Sequence, residues 1–488
     1  MKKSIKEILI IIFFSVVTNY AQQINNTSIN CFTILAGKNT TIDGSVLLAH
    51  NEDDGGKFLV DWYKVPHISH KADEKIILQK GAEIEQVDET FGFLWMEIPG
   101  LQFSDSYINE WGVTIVSNGC PSKETEGELV NGGIGYYLRR IMAERAKTAK
   151  EAVKIAGEII EKVGYLSSGR TYSIADVNEA WMLAVVKGKH WIAQRLPDDS
   201  VAVIPNYYTI TRIDLKDTVN FLGSTDIIDY AIQKGWYDPS LGKEFDFRLA
   251  YGSEQSLHAL WNIPRHMQAI NLLSEKQYGY YSQLPTTFKP KSKVSIQTLE
   301  SVLTNHYEGT QFEMNPAYNN GNPHKNIIMR ICSASNRYGF IAQLRNWMPV
   351  DVGAVLWIAP RRPCVQPFIP WYLGIEKIPE GYTRGDYNNA LKNHFSDTHD
   401  LREKYPNHAY WTFVDYSDKI DTDYRNQIDK IKENKVTFEK ELSDYQMNFE
   451  EEVLNIYKNN PKAARLKLTE YTSKLATKVL TNTKRDFK

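Results

Sequence analysis

The sequence predicts an α+β fold in which antiparallel β-structure carries the chemistry. Three observations support this. Short apolar runs separated by turn dipeptides fill two long tracts, from Cys31 to Asn118 and from Arg170 to Ile210. Segments with apolar residues at helical spacing interrupt and close the chain, at 132–163 and 425–488. Aromatic residues make up 12% of the sequence, with 28 Tyr and 11 Trp, which suits pleated, half-buried surfaces. The order is strands, two helices, strands, helices, strands, helices, which implies sheets layered between helices.

The first residues, MKKSIKEILIIIFFSVVTNYA, have a basic end (Lys2, Lys3, Lys6), an apolar run from Ile8 to Val17, and Ala21 at a cleavage position. That is the pattern of a secretory signal, and the run is too short for an ordinary membrane span. The mature protein is therefore expected outside the cytoplasm, in the periplasm or released. Residues 22–30, QQINNTSIN, read as a flexible leader or a propeptide.

From Cys31 the pattern turns to β. Phe32–Ala36 and Val46–Ala49 are apolar runs around KNTTIDGS, whose sharpest turn signal is Asp43-Gly44. Folding this hairpin near Thr41 sets Cys31 opposite about Asn51, with His50, Asn51, Glu52 and Asp53 close by. FGFLWMEIPG is a strand ended by Pro99-Gly100, and SYINEWGVTIVSNGC is two strands around a turn at 109–112. Residues 132–163 predict two helices broken near Thr148, where T-A-K-E suggests a capping box. RTYSIADV, WMLAVVKG, WIAQRL and SVAVIPNYYTI predict a four-stranded meander. A helix begins at Pro264, and the polar stretch 276–320 reads as surface loops. Strands return over 326–358, and the proline-punctuated 360–375 cannot be a central strand throughout. Residues 425–488 predict two or three helices packed on the body.

Composition narrows the function. A net charge of −2 does not suggest nucleic acid or an anionic membrane surface as partner. The four cysteines are too few for a disulfide scaffold. With Cys31 reserved for chemistry, at most one bridge forms, and Cys332–Cys364 is the expected pair. There is no C-x-x-C, H-E-x-x-H, P-loop or G-x-S-x-G, so no metal or other cofactor is expected. If the chain is cut between Asn30 and Cys31, one residue carries both a thiol and an α-amine. The amine's reference pKa of about 7.7–8.0 makes it a suitable base near neutrality, and the thiol is the nucleophile. Oxyanion donors must then come from amides, and Asn118 and Asn206 stand at strand ends.

These segments resemble the PepD-like dipeptidases, a cysteine family of N-terminal-nucleophile (Ntn) hydrolases more distantly similar to penicillin and bile-salt acylases. The matching blocks are CFTILAGKNTTIDGSVLLAHNEDD, INEWGVTIVSN, AQRLPDDSVAVIPNYYTI, FIAQLR with VGAVLW, and PFIPWYLG, in family order over about 31–375. The resemblance implies a four-layer αββα sandwich, autocatalytic exposure of Cys31, and hydrolysis of dipeptides or short peptides. It implies that Asp53 contacts the nucleophile's amine, that Asn206 and Asn118 are oxyanion donors, and, most loosely, that Arg265 is an active-site arginine. Outside that likeness, Asn118 and Asn206 are ordinary strand-end residues and Arg265 a plain helix residue. His50 departs from the pattern, since the relatives usually carry arginine three residues before the aspartate. Histidine cannot make the same bidentate contacts, so His50 is a candidate determinant of substrate preference.

The resulting division is 1–21 signal, 22–30 leader, 31–380 catalytic domain and 381–488 a mainly helical extension. The expected partner is a small peptide, with the oligomeric state open. Two other functions compete: an amidase or acyltransferase on N-acyl amino acids or cell-wall fragments, and a catalytically idle secreted binding protein on the same fold.

Overall fold

A computed structural model describes residues 31–54, 58–319, 321–324, 328–396 and 398–487. The expected signal and leader, residues 1–30, lie outside the described residues. Two antiparallel sheets form the body. One has six strands: β1 (Phe32–Ala36), β2 (Val46–Asp53), β10 (Val201–Ile204), β12 (Asn336–Leu344), β13 (Ala354–Pro360) and β14 (Ile369–Tyr372), in the order β10-β1-β2-β12-β13-β14. The other has eight: β3 (Asp61–Val65), β4 (Phe93–Glu97), β5 (Ser106–Asn109), β6 (Thr114–Gly119), β7 (Tyr165–Ala175), β8 (Ala180–Gly188), β9 (Trp191–Arg195) and β11 (Phe221–Gly223), in the order β11-β9-β8-β7-β6-β5-β4-β3.

The sheets face each other, and helices cover their outer faces. α1 (Tyr137–Arg145) and α2 (Ala149–Val163) pack on the eight-stranded sheet, burying Leu138, Ile141, Ala152, Ala156 and Ile160 against Trp95, Tyr172 and Trp181. α3 (Ile263–Leu273) lies near β10, and α4 (Ile296–Leu303) packs on β2 and β12. α5 (Ala409–Thr422), α6 (Tyr424–Tyr457) and α7 (Pro461–Phe487) pack on one another and on β14. This is the αββα layering that buries one face of each sheet against the other. Leu35, Leu48 and Ala342 of one sheet meet Val116, Met182 and Ala184 of the other, and the same apolar core continues on the outer face of the six-stranded sheet through Phe32, Ile34 and Ile341.

Most predicted elements are present, with informative differences. Thr148 caps α2, its hydroxyl accepting from the Glu151 N–H at 3.1 Å. Only half of a capping box forms, because the Glu151 carboxylate accepts instead from the Lys147 N–H. The expected fourth meander strand is short and belongs to the other sheet. β10 pairs with β1, while Phe221–Gly223 continues the meander. Pro205 follows β10 at once and has no N–H to extend a ladder. The stretch expected to be loops contains α4, started by a full capping box between Ser295 and Thr298 and burying Leu299, Val302 and Leu303. β14, with Pro370, occupies a sheet edge, where a missing donor is tolerated. Cys332 and Cys364 are both free thiols, so the expected bridge is not formed.

Candidate active site

The hairpin β1–β2 builds the site. Phe32 pairs with Asn51 and Thr33 with His50, so Cys31 falls opposite Glu52. On the other side of β1, Thr33 pairs with Ile204, which carries Asn206 to the same level as Cys31. Cys31 thus sits between the ends of two neighbouring strands. Alternation along β2 puts His50 and Glu52 on one face with Cys31 and Thr33, and Asn51 and Asp53 on the other. β2 is central in its sheet, and all eight of its residues are buried.

A closed ring of hydrogen bonds surrounds Cys31, and its polarity can be worked out. Asn118 Nδ2 donates to Cys31 O at 2.7 Å and to Ile204 O at 3.0 Å, which uses both amide hydrogens. Asn118 Oδ1 accepts from Thr33 Oγ1 at 2.7 Å, which uses the only hydroxyl proton. His50 Nδ1, 2.8 Å from Thr33 Oγ1, must therefore donate to it. His50 Nε2 then faces Glu52 Oε2 at 3.0 Å with one proton between them. Burial, aided by the nearby Arg139 guanidinium, lowers His50 to about 3. Burial also pushes Glu52 well above the usual carboxylate range. The proton accordingly rests on Glu52, and the pair is neutral. Glu52 Oε1 accepts from Cys31 Sγ at 3.0 Å, closing the ring. Burial, with Glu52 beside it, raises the Cys31 thiol well above its ordinary value.

Asn206 is placed differently. Asn262 holds its backbone from both sides, accepting from Asn206 N at 3.1 Å and donating to Asn206 O at 3.1 Å. Arg265 Nη2 donates to Asn206 Oδ1 at 2.8 Å, which fixes the amide orientation. Asn206 Nδ2 is buried and has no hydrogen-bond partner among the described residues. Leaving such a donor bare costs about 1–3 kcal/mol. A fold that holds such a donor in a fixed orientation at the level of Cys31 leaves it available to something else.

Asp53 is held by the segment before β12. Its carboxylate accepts from Ser333 Oγ, from Ser335 Oγ at 2.8 Å and from Asn336 Nδ2 at 2.9 Å. Burial nevertheless raises it to about 6. Arg265 is fully buried and within the electrostatic reach of Asp53 and Cys31.

The structure joins three of the six sequence-predicted residues (Cys31, His50 and Asn118) in one hydrogen-bonded ring and two more (Asn206 and Arg265) in a second group, whose arginine is within electrostatic reach of the thiol. Asp53 joins through its backbone oxygen, 3.8 Å from Cys31 Sγ. Glu52 and Thr33 complete the ring, and the cross-strand register is the signal that finds them. Among the described residues, two groups of side chains could hold a metal ion: Cys31, His50 and Glu52, and, elsewhere, His306, His324, Cys332 and Cys364.

The sequence pattern of Peptidase family C69 matches residues 30–436, most of the chain and beginning one residue before Cys31. The chain belongs to peptidase family C69. A "Probable dipeptidase" of Latilactobacillus sakei is 27% identical over 382 residues, covering 74% of this chain and 78% of the relative. A "Probable dipeptidase" of Salmonella dublin is 26% identical over 387 residues, with 74% and 85% covered. A "Dipeptidase" of Bifidobacterium longum is 28% identical over 392 residues, covering 72% of each. Among solved structures, penicillin V acylase from Agrobacterium tumefaciens is similar at 10% identity and TM-score 0.35, over 68% of this chain and 82% of that one. A mutant conjugated bile acid hydrolase from Clostridium perfringens is similar at 11% identity and TM-score 0.30, over 68% and 89%. Membership of the C69 peptidases rests on the family match. The layering is read directly from the sheets.

Proposed function

We propose that this C69 peptidase is an exported Ntn-type enzyme that hydrolyses dipeptides or short peptides with Cys31 as its nucleophile. The observation that carries the reading is the buried Asn206 Nδ2, oriented by Arg265 and without a partner among the described residues, on the strand neighbouring the one that Cys31 opens. The export signal and the processing at Asn30–Cys31 are part of the same proposal.

In the uncleaved chain Cys31 N is an amide nitrogen, and the groups touching the thiol are Glu52 and the Asp53 carbonyl. Processing proceeds as Cys31 Sγ attacks the Asn30 carbonyl carbon. The thiol proton passes to Glu52 Oε1 while the proton on Oε2 moves to His50 Nε2. The C–N bond breaks, the nitrogen takes a proton, and water cleaves the resulting thioester. The products are the Asn30 carboxylate and a free Cys31 amine.

In turnover that amine takes the thiol proton as Sγ attacks the scissile carbonyl. Asn206 Nδ2 donates to the developing oxyanion. The ammonium protonates the leaving nitrogen, the peptide bond breaks and an acyl-thioester remains. Water attacks it, giving a proton to the amine, and the acid product leaves. Asp53 faces the ammonium and keeps it in place. Asn118, with both hydrogens committed to carbonyls, orients the Cys31 carbonyl and joins β6 to β1.

The test is direct. N-terminal sequencing of the active enzyme should begin at Cys31, and Cys31→Ala should remain uncleaved and fail to hydrolyse a dipeptide panel. A wild-type chain that is active with Asn30 still attached would overturn the reading. Activity confined to N-acyl amino acids would replace its substrate class.

A further inference from the structure

We propose that His306, His324, Cys332 and Cys364 form a structural zinc site that pins the active-site floor from behind. His306, His324 and Cys332 lie on the long connection between α4 and β12, Cys364 lies in the turn after β13, and all four are buried. Their ligand atoms lie within 4.8 Å of one another. Two histidines and two cysteines are a donor set that favours tetrahedral zinc.

The distances fit that geometry. With Zn–N about 2.0–2.1 Å and Zn–S about 2.3 Å, the edges of a tetrahedron are about 3.3 Å for N–N and about 3.6 Å for N–S. His306 Nε2 and His324 Nε2 are 3.2 Å apart. His324 Nε2 is 3.5 Å from Cys364 Sγ and 3.9 Å from Cys332 Sγ.

The outer contacts orient both rings. His306 Nδ1 is 3.0 Å from Glu308 Oε1, and His324 Nδ1 is 2.9 Å from Asp421 Oδ1. Each Nδ1–H donating to a carboxylate leaves an Nε2 lone pair pointing inward. Two lone pairs facing each other at 3.2 Å repel unless a cation lies between them. Carboxylate–histidine–metal triads have this arrangement. Tyr318 OH donates to Glu308 at 2.6 Å, and Arg362 pairs with Asp421 at 2.5 Å, so both carboxylates are themselves held. Zinc with two thiolates is neutral, which suits a buried position.

Such an ion would tie three segments of the α4–β12 connection, around His306, His324 and Cys332, to the turn after β13. Cys332 is followed by Ser333, which donates to Asp53. Ile331 O and Leu303 O, on two of the pinned segments, both accept from Asn51 of β2 at 2.9 Å. The ion would thus shape the site without touching substrate.

The test is metal content, read independently of peptidase activity, so it can fail or succeed apart from the proposed function. Elemental analysis of the purified full-length chain should find about one zinc per chain. Cys332→Ser/Cys364→Ser should lose it, and Glu308→Gln should weaken zinc binding about 10–100-fold. Where the double variant fails to fold, the cobalt-substituted wild-type chain supplies the readout. Tetrahedral d–d bands and a thiolate-to-cobalt charge-transfer band are expected. A zinc-free chain with a Cys332–Cys364 disulfide in its non-reduced digest would overturn the proposal. So would zinc retained by the double variant, or an octahedral cobalt spectrum without charge transfer.

Discussion

The roles of single side chains around Cys31 follow from which hydrogens are already committed. Asn118 has none to spare, whereas Asn206 has a whole amino group. Asn206→Ala should therefore lower kcat by about 10²–10³, with a smaller loss of stability because Arg265 Nη2 loses its Oδ1 partner. Asn118→Ala should act mainly on folding. Steady-state kinetics and urea unfolding of the two variants separate these roles. Asp53 offers a second test in the uncleaved Cys31→Ala background. Its folded value of about 6 exceeds the unfolded value of about 3.9. The folded chain thus keeps a proton that the unfolded chain has lost. This carboxyl's contribution is fully present below about pH 3.9 and is lost as pH rises through about 6. The loss is at most about 3 kcal/mol. Adding Asp53→Asn should remove that part of the decline between about pH 4 and pH 7. His50, whose lowered value works in the opposite direction, is common to both proteins and cancels. Parallel pH profiles for the two would reject the assignment.

At the scale of elements, the hairpin was legible and the sheet switch was not. The turn at Asp43-Gly44 and the apolar runs around it are local signals, and the register they imply brings Cys31 to Glu52 within one residue of the expectation. Val201–Ile204 is apolar throughout, so its sequence fits either sheet equally. Only the tertiary structure shows that it joins β1 and delivers Asn206. α4 was hidden because its eight residues lie in a polar stretch. The His306–Cys364 cluster was hidden because three of its residues are spread widely over the α4–β12 connection and the fourth comes from the turn after β13, which leaves no short motif. α2 tests the opposite case, an element legible in full and remote from the chemistry. Thr148→Ala removes its cap and should cost about 0.5–2 kcal/mol. kcat/KM at a temperature where the variant is folded should not change, because α2 covers the outer face of the eight-stranded sheet.

At the scale of the molecule, the question is whether the three closing helices merely decorate the body or belong to its core. Arg345, just beyond β12, forms a bidentate pair with Glu450 of α6, at 2.6 and 2.9 Å, and both side chains are buried. Tyr372 OH of β14 donates to the same carboxylate at 2.9 Å. On the other sheet, Asp61 and Glu97 receive Arg384, and His408 and His394 respectively reach the same two carboxylates from the closing segment. The closing segment therefore clamps an edge of each sheet with buried charge. Glu450→Ala should leave Arg345 buried and unpaired and cost about 3–5 kcal/mol, far more than an exposed pair is worth. Replacing both residues with apolar ones, Arg345→Met/Glu450→Leu, should recover most of that loss, because the stranded charge, rather than the missing attraction, carries the cost. Urea unfolding followed by tryptophan fluorescence and by far-UV circular dichroism reads both quantities. Coincident transitions are expected if helices and sheets unfold together. A Glu450→Ala chain that loses less than about 1 kcal/mol, or whose helical signal melts ahead of its fluorescence, would mean that the helices dock on a body able to stand without them.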